Sequence, residues 1–518
     1  MLRSATTLIP ESPALRCLLL ALLALHVALG AAMGLSVDEA HYALYAAHPA
    51  LSYFDHPPMV GWVQIPLVAL GAPDAVLRLV PGILWLFTVV GVYHLARRLQ
   101  ADRSNHSAGV WAVLVLALAP LLHILGIGLL PDTLLMPLSV ALMHQTLTLM
   151  QPEAATQRIQ WPRQGSGQWM VLGLLLGLAG LSKYTAVFAA AAVAVCLLAA
   201  HGGRLLFRPG VWLAALLALL LISPVVVWNA QNQWISFAYQ IQHGAGGSWQ
   251  AMHLARFLVV QLLVYGPLLL WGLWGVRRVA DARHRWLVLF FVIPFAVLAY
   301  LSGGGSSLPH WTAPAWVALA PFAGLALAGA ARSWARRWVL LLAVVQGGLC
   351  IALPALMVTG GAPFFAISAD HRSDAPNPFA DVHGWQQAGA RASALAAQHR
   401  LASVSVQNWT LASRLGWYAR PLPVHVLEDR FDQFDIWAGD LQVGGNTLLV
   451  DWSQMAYTLP VGPHGFAACT LLESLPVQRL GQPVAQFWFY SCQGWSGSPQ
   501  PQRQPQPQLQ SDRVAPRP

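Results

Sequence analysis

Charge is scarce in this chain. Of its 518 residues only 9% are charged, while 56% are hydrophobic. That balance excludes an ordinary soluble protein and marks a membrane protein. Lysine is nearly absent: Lys183 is the single one, and every other basic residue is arginine or histidine. A basic face is missing too. The net charge of +9 comes from arginines spread among apolar runs, which argues against a nucleic-acid partner and reads as a topology signal. No internal repeat at a solenoid period is present.

Cysteine is sparse. Cys17, Cys196 and Cys350 lie in apolar runs, where a thiol behaves as a small hydrophobe. Cys469 and Cys492 lie in the polar C-terminal part, flanking the stretch 477–483, where Gly481 and Pro483 supply a turn. A hairpin turning near Leu480 and Gly481 sets these two cysteines opposite each other, which suits a disulfide and an oxidising compartment. Two unpaired thiols are the other reading.

Apolar runs long enough to cross a bilayer recur up to residue 358. They fall at 17–33, 76–95, 108–129, 134–150, 169–181, 185–200, 211–228, 257–276, 286–301, 311–330 and 338–358, about eleven spans in all. The first resembles a signal peptide, but its length and the many later spans favour an uncleaved helix. Arginines cluster before the first span and after every second one: Arg16, Arg97 and Arg98, Arg158 and Arg163, Arg204 and Arg208, Arg277 to Arg285, and Arg332 to Arg337. The opposite loops carry only Arg78, Lys183 and Arg256. By the positive-inside rule the N-terminus is cytoplasmic, and the 38–58 loop and everything after 358 face outward. We therefore expect a polytopic α-helical membrane domain over 1–358. A soluble α/β domain follows over 359–493, with a helix at 388–400 and strands at 403–407 and 446–451. The Pro- and Gln-rich tail 494–518 is expected to be disordered.

The few ionisable groups of the outward loops then carry the information, because acids and bases are costly beside hydrocarbon. Asp38 and Glu39 open the first loop, and Tyr53, Asp55, His56, Pro57 and Pro58 follow further along it. Asp132 opens the fourth span, Lys183 and Tyr184 join the fifth and sixth, Asn229 and His243 bound another outward loop, and His310 and Trp311 precede the tenth span. They come from separate stretches but one membrane face, so they can converge on one pocket. Lys183 suits a phosphate, as a flexible point charge, or is a snorkelling interface lysine. Asp132 is either a functional acid or a helix cap. Asp55, Asp132 and a histidine such as His243 would make a divalent-metal site, although no tight ligand spacing marks one.

Taken as a set, Asp38-Glu39-Ala40-His41-Tyr42, Tyr53-Phe54-Asp55-His56-Pro57-Pro58, Leu130-Pro131-Asp132, Ser182-Lys183-Tyr184-Thr185, Trp228-Asn229 and Pro309-His310-Trp311 resemble the bacterial protein O-mannosyltransferase-like branch of the GT-C glycosyltransferases. That family includes the aminoarabinose transferase that modifies lipid A. The resemblance covers the membrane half to about residue 330. It implies a GT-C fold and an inverting sugar transfer from a polyprenyl-phosphate donor to a lipid, glycan or protein acceptor. The setting it implies is the outer face of the bacterial inner membrane. It implies Asp38, with Glu39 beside it, as the catalytic carboxylate. Lys183, with His56 and Tyr184, would meet the donor phosphate. A metal near Asp55, Asp132 and His243, and a substrate pocket of Tyr53, Asn229, His310 and Trp311, complete the set. One departure stands out: where the aminoarabinose transferase has Glu-Lys-Pro-Pro, this chain has Asp55-His56-Pro57-Pro58. A transporter or flippase of a lipid-linked substrate is the competing class. Against it stand charges at one interface instead of the midplane, no inverted repeat, and a sizeable outward domain.

Overall fold

The computed structural model describes residues 10, 12–102, 105–151, 163–305, 307–330, 333–362, 364–365, 377–428, 430–455 and 457–497; the tail expected to be disordered lies almost wholly outside these. The chain divides into two compact units, Met1–Gly30 with Pro49–Ile351, and Ala31–His48 with Ala352–Pro518. The second unit therefore takes in a short stretch from near the N-terminus, between the first two apolar runs.

The first unit is helical, and every expected span coincides with a helix or a broken pair. Among the described residues eight helices are long and apolar enough to cross a membrane, and two bent pairs raise that to ten. The chain is a multi-pass membrane protein. The remaining expected span, 134–150, is the helix Pro131–Leu149, which does not reach the same apolar character. It carries Asp132, Thr133, Ser139, His144, Gln145 and Thr146, most of them buried. So the apolar count expected from sequence falls by one, because this helix turns its polar side chains into the bundle.

Both breaks precede a proline. Ser107–Ala117 and Pro120–Ile127 meet at 76°, and Ala251–Tyr265 and the stretch from Pro267 meet at 101°. Proline has no N–H to continue the ladder, and at the second break Gly266 takes φ +84°, which favours glycine. The first break frees the Ala117 carbonyl, and His123 Nε2 donates to it at 2.8 Å. That leaves His123 Nδ1 as an acceptor for His26 Nε2, 2.9 Å away. Two buried histidines thus satisfy what the break leaves open.

The helix Ala313–Ala328 is the core of this unit; its span is 89% buried. Its alanines and Gly324 admit neighbours closely: a Cβ on Gly324 would lie 2.2 Å from the Ala108 carbonyl oxygen. Close approach through small residues is how membrane helices gain packing contact without a hydrophobic drive. By contrast Pro209–Gln231 is only 17% buried, leaving an apolar face for lipid.

The second unit is a five-stranded sheet with helices. Its strands are β1 (Val404–Val406), β2 (Val424–Val426), β3 (Thr447–Trp452), β4 (Phe466–Arg479) and β5 (Gln482–Trp495). Their order is β2-β1-β3-β5-β4, parallel across β2, β1 and β3 and antiparallel across β3, β5 and β4. The helix Trp385–Gln398 answers the expected one. In the β4–β5 hairpin Leu480 and Gly481 both have positive φ, 48° and 73°, which matches the strand twist. The register sets Cys469 opposite Cys492, and they form a disulfide.

Candidate active site

The expected site residues fall into both units. In the first unit the centre is a buried ion pair. Pro131 starts the helix Pro131–Leu149 and puts Asp132 in its first turn. Asp132 does not cap that helix; the Thr133 hydroxyl takes the Leu130 N–H at 3.2 Å instead. Lys183 follows directly on the helix Arg163–Ser182, and its Nζ donates to Asp132 Oδ2 at 2.6 Å. Asp132 is 0% and Lys183 5% exposed, so this lysine does not snorkel. His310 Nε2 lies 3.8 Å from the same oxygen, too long for a hydrogen bond. Trp311 offers its ring face 5.8 Å from Nζ. His56 is within electrostatic reach of His310. The second oxygen of Asp132, Oδ1, is buried without a hydrogen bond.

A pair of this kind is poor evidence for stability, since desolvation offsets most of its attraction. An acceptor left open beside a buried ammonium is better explained by chemistry than by folding.

Beside this centre the 53–56 loop is tied to the helix Ile235–Ala245. Ser236 Oγ donates to the Tyr53 carbonyl at 3.0 Å and Gln240 Nε2 to the Asp55 carbonyl at 2.6 Å. Asn229 Oδ1 receives the Ser236 N–H at 3.2 Å, so its role in this arrangement is to position that helix. The Tyr184 hydroxyl sits near Ser236, Asn229 and Ser52 without a well-formed hydrogen bond, and burial raises its pKa, with Asp55 adding to the effect. Burial likewise pushes the Tyr53 phenol up to about 12.

Four residues that sequence reading passed over support His310 from behind. The Pro309 carbonyl accepts from Tyr265 at 3.0 Å and from Thr312 at 3.1 Å. Gln261 Oε1 accepts from Thr312 at 2.5 Å and from the Trp316 indole at 2.8 Å. An indole can only donate, which fixes the orientation of the Gln261 amide. The available signal was a glutamine inside an apolar run.

Asp38 and Glu39 belong to the second unit, in the helix Val37–Ala47. Glu39, read from sequence beside Asp38 as a catalytic residue, also has a structural role. It forms a capping box in which its Oε2 accepts the Ser36 N–H at 3.0 Å while Ser36 Oγ accepts the Glu39 N–H at 3.4 Å. The Ser-x-x-Glu spacing was the signal for it. Asp38 is half-buried and lies within electrostatic reach of Arg414.

A family model described as dolichyl-phosphate-mannose-protein mannosyltransferase matches residues 55–228. ArnT from Cupriavidus metallidurans has a similar structure in its apo state, with a TM-score of 0.59 at 18% identity over 84% of this chain and 92% of that one. The same protein bound to undecaprenyl phosphate gives 0.60 at 16% identity, over 92% and 98%. Residues 55–228 are thus similar to the mannosyltransferase family, and the fold is that of ArnT. A lipid A galacturonosyltransferase, RgtD, from Rhizobium johnstonii is 25% identical over 292 residues, 54% of this chain. This chain spans 58% of that relative's length.

The first unit also holds an apolar cavity of about 450 Å³. It lies between the helices Leu79–Leu99 and Pro131–Leu149, lined by Met59, Phe87, Leu134, Leu138, Ala141 and others. Ser182, next to Lys183, donates to Met59 Sδ at 3.0 Å, and Leu134 lies two residues after Asp132 on the same helix. The expected metal set is Asp55, Asp132 and His243. Asp132 is engaged by Lys183, the His243 side chain is outside what is described, and no group of three His, Cys, Asp or Glu able to hold a metal occurs among the described residues.

Proposed function

We propose that this chain is an inverting glycosyltransferase of the bacterial inner membrane. It moves a sugar from a polyprenyl-phosphate carrier to an envelope acceptor: lipid A or lipopolysaccharide, another glycan, or a protein. The observation that carries this reading is the buried Lys183–Asp132 pair beside His310 and Trp311, with an apolar cavity of about 450 Å³ on the same helix Pro131–Leu149. A fixed ammonium meets a phosphate, and the apolar cavity takes the first isoprene units attached to it. RgtD's name gives lipid A as its target, and ArnT binds undecaprenyl phosphate; both support the choice of donor and acceptor class.

In the proposed step Asp38 takes the proton of the acceptor hydroxyl as its oxygen bonds the anomeric carbon. The bond from that carbon to the phosphate oxygen breaks, and its electron pair leaves with the polyprenyl phosphate. Charge grows on that phosphate, and Lys183 neutralises it where water is excluded. His56 and Tyr184 flank the phosphate. Tyr53, Asn229, His310 and Trp311 shape the pocket. Asp55 contributes a carboxylate to it, and no step is routed through a metal. The arginine bias supports a site and a C-terminal domain on the periplasmic side.

The test is transfer of a radiolabelled sugar from its lipid carrier by purified protein. Asp38→Asn should still bind donor and lose about two to four orders of magnitude in rate. Near-normal turnover would remove Asp38 as the base. No transfer by the unaltered protein from any polyprenyl-phosphate sugar, with a surface glycolipid mass spectrum unchanged on deletion, would sink the reading.

A further inference from the structure

The second unit holds a buried arginine that the proposed reaction has not used. Arg414 is 1% exposed, on the helix Trp409–Tyr418. Its guanidinium lies over the rings of Trp385, at 3.9 Å, and Trp452, at 4.9 Å. It is paired with Asp381, and also donates to the Asp381 carbonyl at 3.1 Å. A charge held this firmly in a sheet domain needs a reason beyond packing.

The residues around it are also those that hold the segment bearing Asp38. Val382, next to Asp381, accepts the Gly34 N–H at 2.9 Å. Tyr418, one turn after Arg414, accepts the Leu35 N–H at 2.7 Å. Ser413, its neighbour, bonds His41 Nδ1 at 3.1 Å. Gly416 lets Leu44 approach so closely that a Cβ there would lie 3.1 Å from it. Residues 34, 35, 41 and 44 bracket Asp38, and each is held by a residue in or beside the Arg414 cluster.

We infer that the helix Trp409–Tyr418 is the seat of the reacting carboxylate, and that Arg414 is a positioning residue acting through Asp38. This rests on the reading of Asp38 as the base. The second unit thereby carries both the proposed base and its support. Around this segment Glu39 takes part in the capping box, His41 bonds Ser413, the Tyr418 hydroxyl accepts from Leu35, and Asp381 pairs with Arg414. Arg414 is a cation within electrostatic reach of Asp38. Burial works against its charge, while Asp381, Asp38 and Tyr418 work for it. The bonds that neighbouring residues make to 34, 35 and 41 fix where the Asp38 carboxylate sits.

Arg414→Met removes the charge at similar volume. We expect kcat to fall about tenfold or more with donor KM nearly kept, as for a loss at the base alone. The acid limb of the pH–rate profile should move up by about one unit, because an opposite charge near a carboxylate has gone. Arg414→Lys should leave that limb in place. In an Asp38→Asn background Arg414→Met should cost nothing further, since one interaction cannot be lost twice. An unmoved acid limb with additive losses would make Arg414 merely structural and overturn the inference. Should Arg414→Met not fold, Tyr418→Phe deletes only the hydroxyl that holds Leu35. It should lower kcat severalfold at unchanged donor KM, and an unchanged kcat overturns the inference. Near-normal turnover by Asp38→Asn alone would sink the parent reading, and this inference with it.

Discussion

Lys183 and Asp132 are 51 residues apart, and each had a bland explanation in the sequence: a snorkelling lysine and a helix cap. Their pairing decides against both, and pairing at that distance is not legible from a motif. It also complicates the obvious experiment. Lys183→Ala leaves a buried, uncompensated carboxylate, which costs about 3–5 kcal/mol. Lost activity would then be confused with lost fold. We expect Lys183→Ala to lower the thermal midpoint and abolish donor use, and Lys183→Ala with Asp132→Asn to recover the midpoint but not transfer. Recovery of transfer in the double variant would show that the ammonium serves only the pair. Asp432, in the second unit, permits a pH test. It caps a helix, with its Oδ1 taking the Phe434 N–H at 2.7 Å. Burial, with Asp435 and Glu428 nearby, raises its carboxyl from 3.8 to about 7. Between those values the folded chain keeps a proton that the unfolded chain releases. Stability contributed by this group is therefore full below about pH 4 and declines toward pH 7, by a few kcal/mol at most. Asp432→Asn has no proton to release, so its unfolding midpoint should lose this decline and exceed that of the unaltered protein at pH 8. A parallel decline in both proteins would refute the assignment.

At the scale of elements, the apolar runs were legible because hydropathy is local, and so was the β4–β5 hairpin, where Gly481 marks the turn and alternation sets the register. The short strand β2 and the helix Trp409–Tyr418 were not, because their definition depends on partners far along the chain. The clearest case is the helix Val37–Ala47. Its position between two membrane runs suggests a connecting loop, yet its partners Ser413 and Tyr418 are 372 and 383 residues from His41 and Leu35. No window of sequence carries that information. The cavity beside the helix Pro131–Leu149 is likewise a product of packing, and it yields a prediction for the donor. Ala141 lines it without filling it. Ala141→Trp should occupy the space proposed for the isoprene chain, raising donor KM by about tenfold or more while kcat stays near normal. An unchanged donor KM would place the lipid chain elsewhere.

The whole molecule turns on a question of parity. Eight helices pass as spans, ten with the two bent pairs, and the helix Pro131–Leu149 stands outside the count. An even number of crossings puts both ends of the membrane half on one side; an odd number puts them on opposite sides. The arginine clusters demand opposite sides, because they recur after every second run and end with Arg336 and Arg337. This reconciles only if Pro131–Leu149 also crosses. Its polar side chains do not forbid that, because the buried Asp132, Thr133 and Thr146 face protein instead of lipid. Hydropathy undercounts such a helix for that reason: it scores side chains as though all met hydrocarbon. We therefore expect a phosphatase reporter, active only outside the cytoplasm, to be active when fused after Gly128 and after Gly360, and silent when fused after Gln151. A fluorescent reporter active only in the cytoplasm should give the reverse pattern at all three sites. If Gly128 and Gln151 reported the same side, the helix would not cross, and the residues after 352 would lie on the side of the N-terminus. The first span would still put Asp38 outside, so residues 31–48 and those after 352 could not fold as one unit, and the expected topology would have to be abandoned for the whole chain.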